Sequence, residues 1–238
     1  MNLITKHIPN TITCLNLFSG CVACVMAFQG EYFCAALFIY LAAVFDFLDG
    51  MTARLLKAYS DIGKELDSLA DVISFGFAPG IILFSWLQTI QGENSTGISI
   101  IPYIAFLIPV FSALRLAKFN IDTRQTSSFI GLPVPANAIF IASLISLHDN
   151  AGLLFLLHNL WFIIILICIL SFLLVSKLPM FSLKFKSLAW KDNQTRYLFL
   201  SLSIILLVLF QWTAIPLIVI LFILMSLGMY CRRRIKRN

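Results

Sequence analysis

The chain has 238 residues, 60% of them hydrophobic and only 12% charged, with a mean hydropathy of +0.95 and a formal net charge of +6. Soluble domains are nearer about 45–50% apolar and about 25% charged, and the excess would leave large apolar patches in water. These figures exclude a soluble fold and point to an all-α polytopic integral membrane protein, since a spanning helix needs about 20 apolar residues.

Taken in chain order, the apolar runs predict spans near 11–29, 31–52, 67–90, 98–117, 133–147, 151–175, 197–211 and 213–230. The fifth run is short and the loops around the seventh are tight, so a count of six or seven also fits. The first run follows Lys6 and contains Phe18-Ser19-Gly20-Cys21, which loosely resembles a lipoprotein cleavage box. It is read as the first span, because no soluble domain follows it. Loop residues cluster at 91–97 and at His148-Asp149-Asn150. Cys21 and Cys24 form a C-x-x-C without a second pair or a nearby His, which reads as helix packing. The whole is expected to form one membrane domain, 1–238, with C-terminal helices over 151–238.

Charge fixes the expected orientation. With the N-terminus inside, all 17 basic residues fall on inner segments. They are Lys6; Arg54, Lys57 and Lys64; Arg115, Lys118 and Arg124; Lys177, Lys184, Lys186, Lys191 and Arg196; and Arg232, Arg233, Arg234, Lys236 and Arg237. The three clear outer loops carry Glu31, Glu93 and Asp149 and no base. This asymmetry predicts cytoplasmic termini and an even number of spans. It also accounts for the basic excess without nucleic acid.

The carboxylates are out of place in such a chain. Of eight Asp, five fall within 26 residues, four of them being Asp46, Asp49, Asp67 and Asp71. An ionised carboxylate in a span costs several kcal/mol unless it is paired or bound to a cation. Asp46 and Asp49 are spaced i, i+3 and Asp67 and Asp71 i, i+4, so each pair shares a helical face. Two helices joined by one loop then bring four carboxylates to one point. Arg54, Lys57 and Lys64 are the nearby fixed cations, and an Asp–Arg network locking two helices is the plainer reading. Hard oxygen ligands without His or Cys suit Mg²⁺ or Mn²⁺, with Ca²⁺ a further candidate. Two such ions a few ångströms apart suit phosphoryl chemistry. Gly50, next to Asp49, weakens the helix and implies close approach of a neighbouring helix or of a ligand.

The spacing Asp46-x₂-Asp49-Gly50-x₂-Ala53-Arg54-x₈-Gly63-x₃-Asp67-x₃-Asp71 resembles the signature of the CDP-alcohol phosphotransferases, with every fixed position present. The resemblance implies a six-helix catalytic core plus two helices, and transfer of a phosphoalcohol group from a CDP-alcohol to a second alcohol with release of CMP. It implies that Asp46 and Asp67 bridge two metal ions, that Asp49 binds one, and that Asp71 binds the other and accepts the proton. Gly50, Ala53 and Arg54, with Ser60, would hold the cytidine diphosphate. Pro9-Asn10-Thr11-Ile12-Thr13 and Asn16 resemble the family's N-terminal helix start, placing Asn10, Thr13 and Asn16 in the nucleotide pocket.

Within the family, Asp67-Ser68-Leu69-Ala70-Asp71-Val72-Ile73-Ser74-Phe75-Gly76-Phe77-Ala78-Pro79 resembles a segment of phosphatidylserine synthases. Arg115-Leu116-Ala117-Lys118-Phe119-Asn120 is similar to their R-L-A-R-F-N, with Lys118 in place of Arg, and Gly131-Leu132-Pro133-Val134-Pro135-Ala136 to a following element. Asn137 departs from the small residue expected there. The resemblance covers about 9–138 and implies CDP-diacylglycerol as donor, L-serine as acceptor, a homodimer, and a site on the cytoplasmic side of the inner membrane. Ser74, Arg115, Lys118 and Asn120 would receive the serine. Arg115 and Lys118 read equally well as residues that only reach for headgroups. Glycerol 3-phosphate or an inositol compound as acceptor stays open, as does a cation transporter built on the Asp cluster.

Overall fold

A computed structural model describes residues 3–92, 99–121, 129–181 and 190–235. The expected outer loop at 93–97 and the basic residues Arg124, Lys184, Lys186, Lys236 and Arg237 lie outside the described residues. So do the side chains of Lys6, Lys191, Arg232, Arg233 and Arg234.

Two long helices open the chain: α1 (Leu3–Phe28) and α2 (Tyr32–Leu56), reversed by a turn in which Gly30 takes φ +79°. Their buried residues are mostly small, Ser19, Ala23 and Ala27 facing a helix with Ala35, Ala36 and Ala42. Small residues let helix backbones approach closely where burial alone gives no driving force in lipid. α1 begins upstream of the expected start: Pro9 lies inside the helix rather than at its first turn. Thr11 and Thr13 return their hydroxyls toward the carbonyls of His7 and Pro9, one turn back.

α2 ends at Lys57, whose left-handed φ of 51° lets its N–H reach the carbonyls of Ala53 and Arg54. Three residues later Ser60 caps α3 (Asp61–Asp71), its Oγ accepting from the Gly63 N–H at 3.0 Å. α3 runs without a break through a π-helical segment, Val72–Phe77, into α4 (Ala78–Gln91). Pro79 has no N–H to give the turn before it, and the wide π turn absorbs that loss.

A 3₁₀ turn (Ile101–Phe106) leads into α5 (Leu107–Ile121). β1 (Phe129–Ile130) pairs antiparallel with β2 (Pro179–Met180), a two-residue clasp in an otherwise helical chain. Between them lie α6 (Val134–Ile145), the short α7 (Leu154–Leu157) and α8 (Leu160–Val175). The single span expected over 151–175 is therefore divided. Asn159 restarts the helix by accepting from the Phe162 N–H at 3.2 Å.

α9 (Trp190–Phe210) and α10 (Ala214–Ile235) form one continuous apolar stretch from Asn193 to Cys231. It folds back at Gln211, where φ is 49°, so that Phe199 and Phe222 meet edge to face with ring centres 6.0 Å apart. Four further stretches, His7–Phe28, Tyr32–Leu56, Asp61–Gln91 and Ile101–Ile121, are long and apolar enough to cross a membrane, while α6 and α8 are shorter. The protein is an all-α polytopic integral membrane protein.

The two ends of the bundle differ in kind. At one, Tyr32 contacts Trp86 (5.5 Å) and His148 (5.3 Å), Trp86 contacts His158 (5.1 Å), and Phe33 contacts Trp212 (5.8 Å). Trp86 is buried there and donates Nε1–H to the Leu157 carbonyl at 2.9 Å. This belt joins the α1–α2 turn, the end of α4, the α6–α8 connection and the α9–α10 turn. The carboxylate cluster sits at the other end, beside the α2–α3 loop.

Candidate active site

Asp46 and Asp49 occupy successive turns near the end of α2, and Asp67 faces them from α3. One carboxylate oxygen of each lies within 4.8 Å of the others. Asp71, one turn further along α3, is in electrostatic range of all three. Among the described residues, no Lys or Arg nitrogen comes within 4.0 Å of these carboxylates. The ion-pair network that would merely lock two helices is therefore not what holds them.

Two of the oxygens, Asp67 Oδ1 and Asp71 Oδ1, are buried and have no hydrogen-bond partner. An unpaired anionic oxygen in the interior is costly, and here several converge on one point. An all-oxygen donor set of this kind fits a hard divalent cation. Asp49 is held differently: Thr13 of α1 donates its hydroxyl to Asp49 Oδ2 at 2.6 Å.

Beside the cluster opens a cavity of about 290 Å³. Of the residues the sequence assigned to the nucleotide, Asn10, Thr13, Gly50, Ala53, Arg54 and Ser60 all line it, together with Asp49 and Asp67. A Cβ placed on Gly50 would meet nothing within 4 Å, so this glycine leaves room for a ligand and not for another helix. Gly63 is the opposite case. A Cβ there would stand 2.8 Å from Asn10 Oδ1 and 2.9 Å from Ser60 Oγ, so the glycine lets α1 close against α3. Arg54 is exposed at the mouth. Pro9, Ala58, Tyr59 and Lys64 complete the lining. Sequence reasoning assigned Ala58 and Tyr59 no role, and only their place in the short connection between the two Asp helices could have suggested one; Lys64, in the first turns of α3, entered it only as a nearby cation.

Asn16 is not part of this lining. It is fully buried, and its side chain stands beside Asp71. Of the residues assigned to serine, Arg115 is 8% exposed and in electrostatic range of Asp71, turned inward and not toward headgroups. Ser74 is fully buried and donates to the Asn16 carbonyl at 2.9 Å, tying the π segment to α1. Asn120 Nδ2 donates to Ser68 Oγ at 2.8 Å, and Lys118 is exposed. Asn137 is fully buried on α6, with neither amide atom bonded. None of the six cysteines, the C-x-x-C pair included, forms a disulfide.

Comparison with known proteins agrees with this geometry. The family model described as CDP-alcohol phosphatidyltransferase matches residues 6–174. A CDP-diacylglycerol–serine O-phosphatidyltransferase of Bacillus subtilis is 34% identical over 177 residues, covering 73% of this chain and 89% of that protein. A protein of the same name from Mycobacterium leprae is 34% identical over 181 residues, covering 73% of this chain and 57% of its own length. An archaetidylserine synthase of Methanothermobacter thermautotrophicus is 35% identical over 138 residues, covering 57% of this chain and 56% of that protein. The chain thus spans little more than half the length of some of its curated relatives and most of another.

Proposed function

The chain belongs to the CDP-alcohol phosphatidyltransferase family, and on that premise we propose that it transfers the phosphatidyl group of CDP-diacylglycerol to the hydroxyl of L-serine, yielding phosphatidylserine and CMP. The observation that carries this reading is the convergence of Asp46, Asp49 and Asp67, with Asp71 one turn on, beside a cavity lined by Asp49, Asp67 and Gly50. The names of the relatives support serine over glycerol 3-phosphate or inositol as acceptor.

The family uses divalent metals, and Asp46, Asp49, Asp67 and Asp71 would hold two ions, Mg²⁺ or Mn²⁺. When bound, such ions neutralise the diphosphate and stabilise charge on the transferring phosphoryl group. The chain's own residues do the rest. Gly50 and Ala53 leave a surface against which the cytidine lies, Asn10 and Ser60 bound it, and Arg54 faces the diphosphate from the mouth. Thr13 fixes the Asp49 carboxylate.

An alcohol is a weak nucleophile at neutral pH, so a carboxylate base within reach speeds its attack. The serine oxygen bonds to the β-phosphorus of CDP-diacylglycerol as the bond from that phosphorus to the bridging oxygen breaks. The electron pair leaves on CMP, and the hydroxyl proton passes to Asp71. Arg115 receives the serine carboxylate. Ser74 and Asn120, whose donors serve helix packing, and the exposed Lys118 are left with supporting roles.

The site is proposed to face the cytoplasm from the inner membrane, where soluble CMP and serine meet a lipid donor. Arg54, Lys57, Lys64, Arg115 and Lys118 crowd that end, as inward-facing loops do. A homodimer is proposed as the working form, to be read from the mass of the detergent-purified protein. The activity is tested by following labelled L-serine into chloroform-extractable lipid. Incorporation that needs both CDP-diacylglycerol and a divalent cation supports the reading, and incorporation of another alcohol in its place overturns the choice of acceptor.

A further inference from the structure

The stretch Asp61–Gln91 carries Asp67 and Asp71 toward one end and α4 at the other, and the π turn Val72–Phe77 lies between them. Its hydrogen bonds reach one residue further than those of an α-helix: the Ala78 N–H bonds to the Ile73 carbonyl, five residues back. A turn of this kind inserts one residue into the helix, and one residue is about 100° of rotation. α4 is buried from Ala78 to Leu87, so its orientation is fixed by packing. With α4 held, an unbroken α-helix would swing Asp67 and Asp71 by about 100° from their present approach to Asp46 and Asp49.

Such turns are rare and cluster at functional sites, and this one is gripped from two sides. On α1, Gly20 leaves the space that Ser74 fills. A Cβ on Gly20 would stand 2.7 Å from Ser74 Cα, a backbone atom that cannot swing aside. Ser74 is fully buried and donates its hydroxyl to the carbonyl of Asn16, one turn before Gly20, at 2.9 Å. On α5, a Cβ on Gly76 would stand 3.1 Å from Ser112 Cβ, and one on Gly80 2.9 Å from Pro109 Cδ. Pro79 has no N–H for the Phe75 carbonyl, which weakens the competing α-helical form. Neither Gly20 nor Ser74 lines the nucleotide cavity.

We propose that Gly20 and Ser74 are positioning residues for the metal site: they pin the π turn to α1 and thereby aim Asp67 and Asp71 at Asp46 and Asp49. They act through the direction of α3 and not by touching ion or substrate. This assignment rests on the divalent-metal reading above.

The test uses the full chain purified in detergent, without substrates, and measures Mn²⁺ affinity from the electron paramagnetic resonance of the free ion. Ser74→Ala removes the hydroxyl without adding volume, and Gly20→Ala drives a methyl group into the Ser74 backbone. Each is expected to weaken Mn²⁺ binding about tenfold or more, the scale on which groups that orient metal-binding side chains act. With saturating Mn²⁺, kcat for CMP release should fall in the same variants while the KM for CDP-diacylglycerol stays near that of wild type. Ser203→Ala, which removes a buried hydroxyl bonded to the Phe199 carbonyl in α9, should leave Mn²⁺ affinity unchanged. Should Gly20→Ala fail to fold, judged by thermal unfolding, Ser74→Ala carries the measurement alone. A folded Ser74→Ala protein with wild-type Mn²⁺ affinity would overturn the assignment, as would an equal loss of affinity in Ser203→Ala. Absence of Mn²⁺ binding by the wild type would overturn the metal reading with it.

Discussion

Thr13 on α1 and Asp49 on α2 are joined by a 2.6 Å hydrogen bond, hydroxyl to Oδ2. The bond ties the helix that walls the cavity to the helix that carries two of the four carboxylates. It also aims Asp49 by occupying one of its oxygens. Partners of metal-binding carboxylates and imidazoles typically matter about 10- to 100-fold in metal affinity or activity. Thr13→Val, which keeps the branched shape and loses the hydroxyl, is therefore expected to raise the metal concentration for half-maximal CMP release by about that factor. Thr13→Ser should stay near wild type. A Thr13→Val enzyme with an unchanged metal titration would show that the bond is only packing.

Gly50 separates binding from folding. Because nothing lies within 4 Å of a Cβ built there, Gly50→Ala strains no neighbour and gains about 1 kcal/mol of helix propensity. Its melting temperature should hold or rise while the CDP-diacylglycerol KM increases, and Gly50→Leu should remove turnover with the fold intact. Loss of stability in parallel with activity would mean that the glycine serves helix packing.

The carboxylate cluster should report its metal without any turnover. Binding to the folded state alone stabilises it by mass action, and relief of four converging charges adds to the effect. Thermal unfolding in detergent is expected to move upward with added Mn²⁺ or Mg²⁺ and to return on chelation. The shift should vanish when Asp46, Asp49, Asp67 and Asp71 are all changed to Asn. An equal shift in that variant would place the ion elsewhere.

Much of this site was legible because charge stands out against an apolar chain. Asp46, Asp49, Asp67 and Asp71 announce themselves by their cost in a membrane, and their spacing gives the shared faces. The direction in which Asn16 points was not legible. In a helix that is apolar all round, the hydrophobic period does not distinguish a face toward protein from a face toward lipid. The sequence motif grouped Asn16 with Asn10 and Thr13, yet the π segment after Asp71 draws it toward Asp71 instead. Proline was misleading for a related reason: Pro9 reads as a helix start, but the helix continues upstream of it. The division of the sixth span and the reversal at Gln211 each turn on one residue's backbone, Asn159 as a cap and Gln211 at positive φ. Hydropathy averages over both.

Proton acceptance from the acceptor alcohol is the proposed role of Asp71, at a site otherwise suited to CDP-diacylglycerol. Its most direct test is CMP release by the purified protein with CDP-diacylglycerol and Mn²⁺, with and without L-serine, for wild type and Asp71→Asn side by side. Serine-dependent release by wild type is expected, and its near-complete loss in Asp71→Asn while CDP-diacylglycerol still binds. Near-normal turnover in Asp71→Asn would contradict the claim.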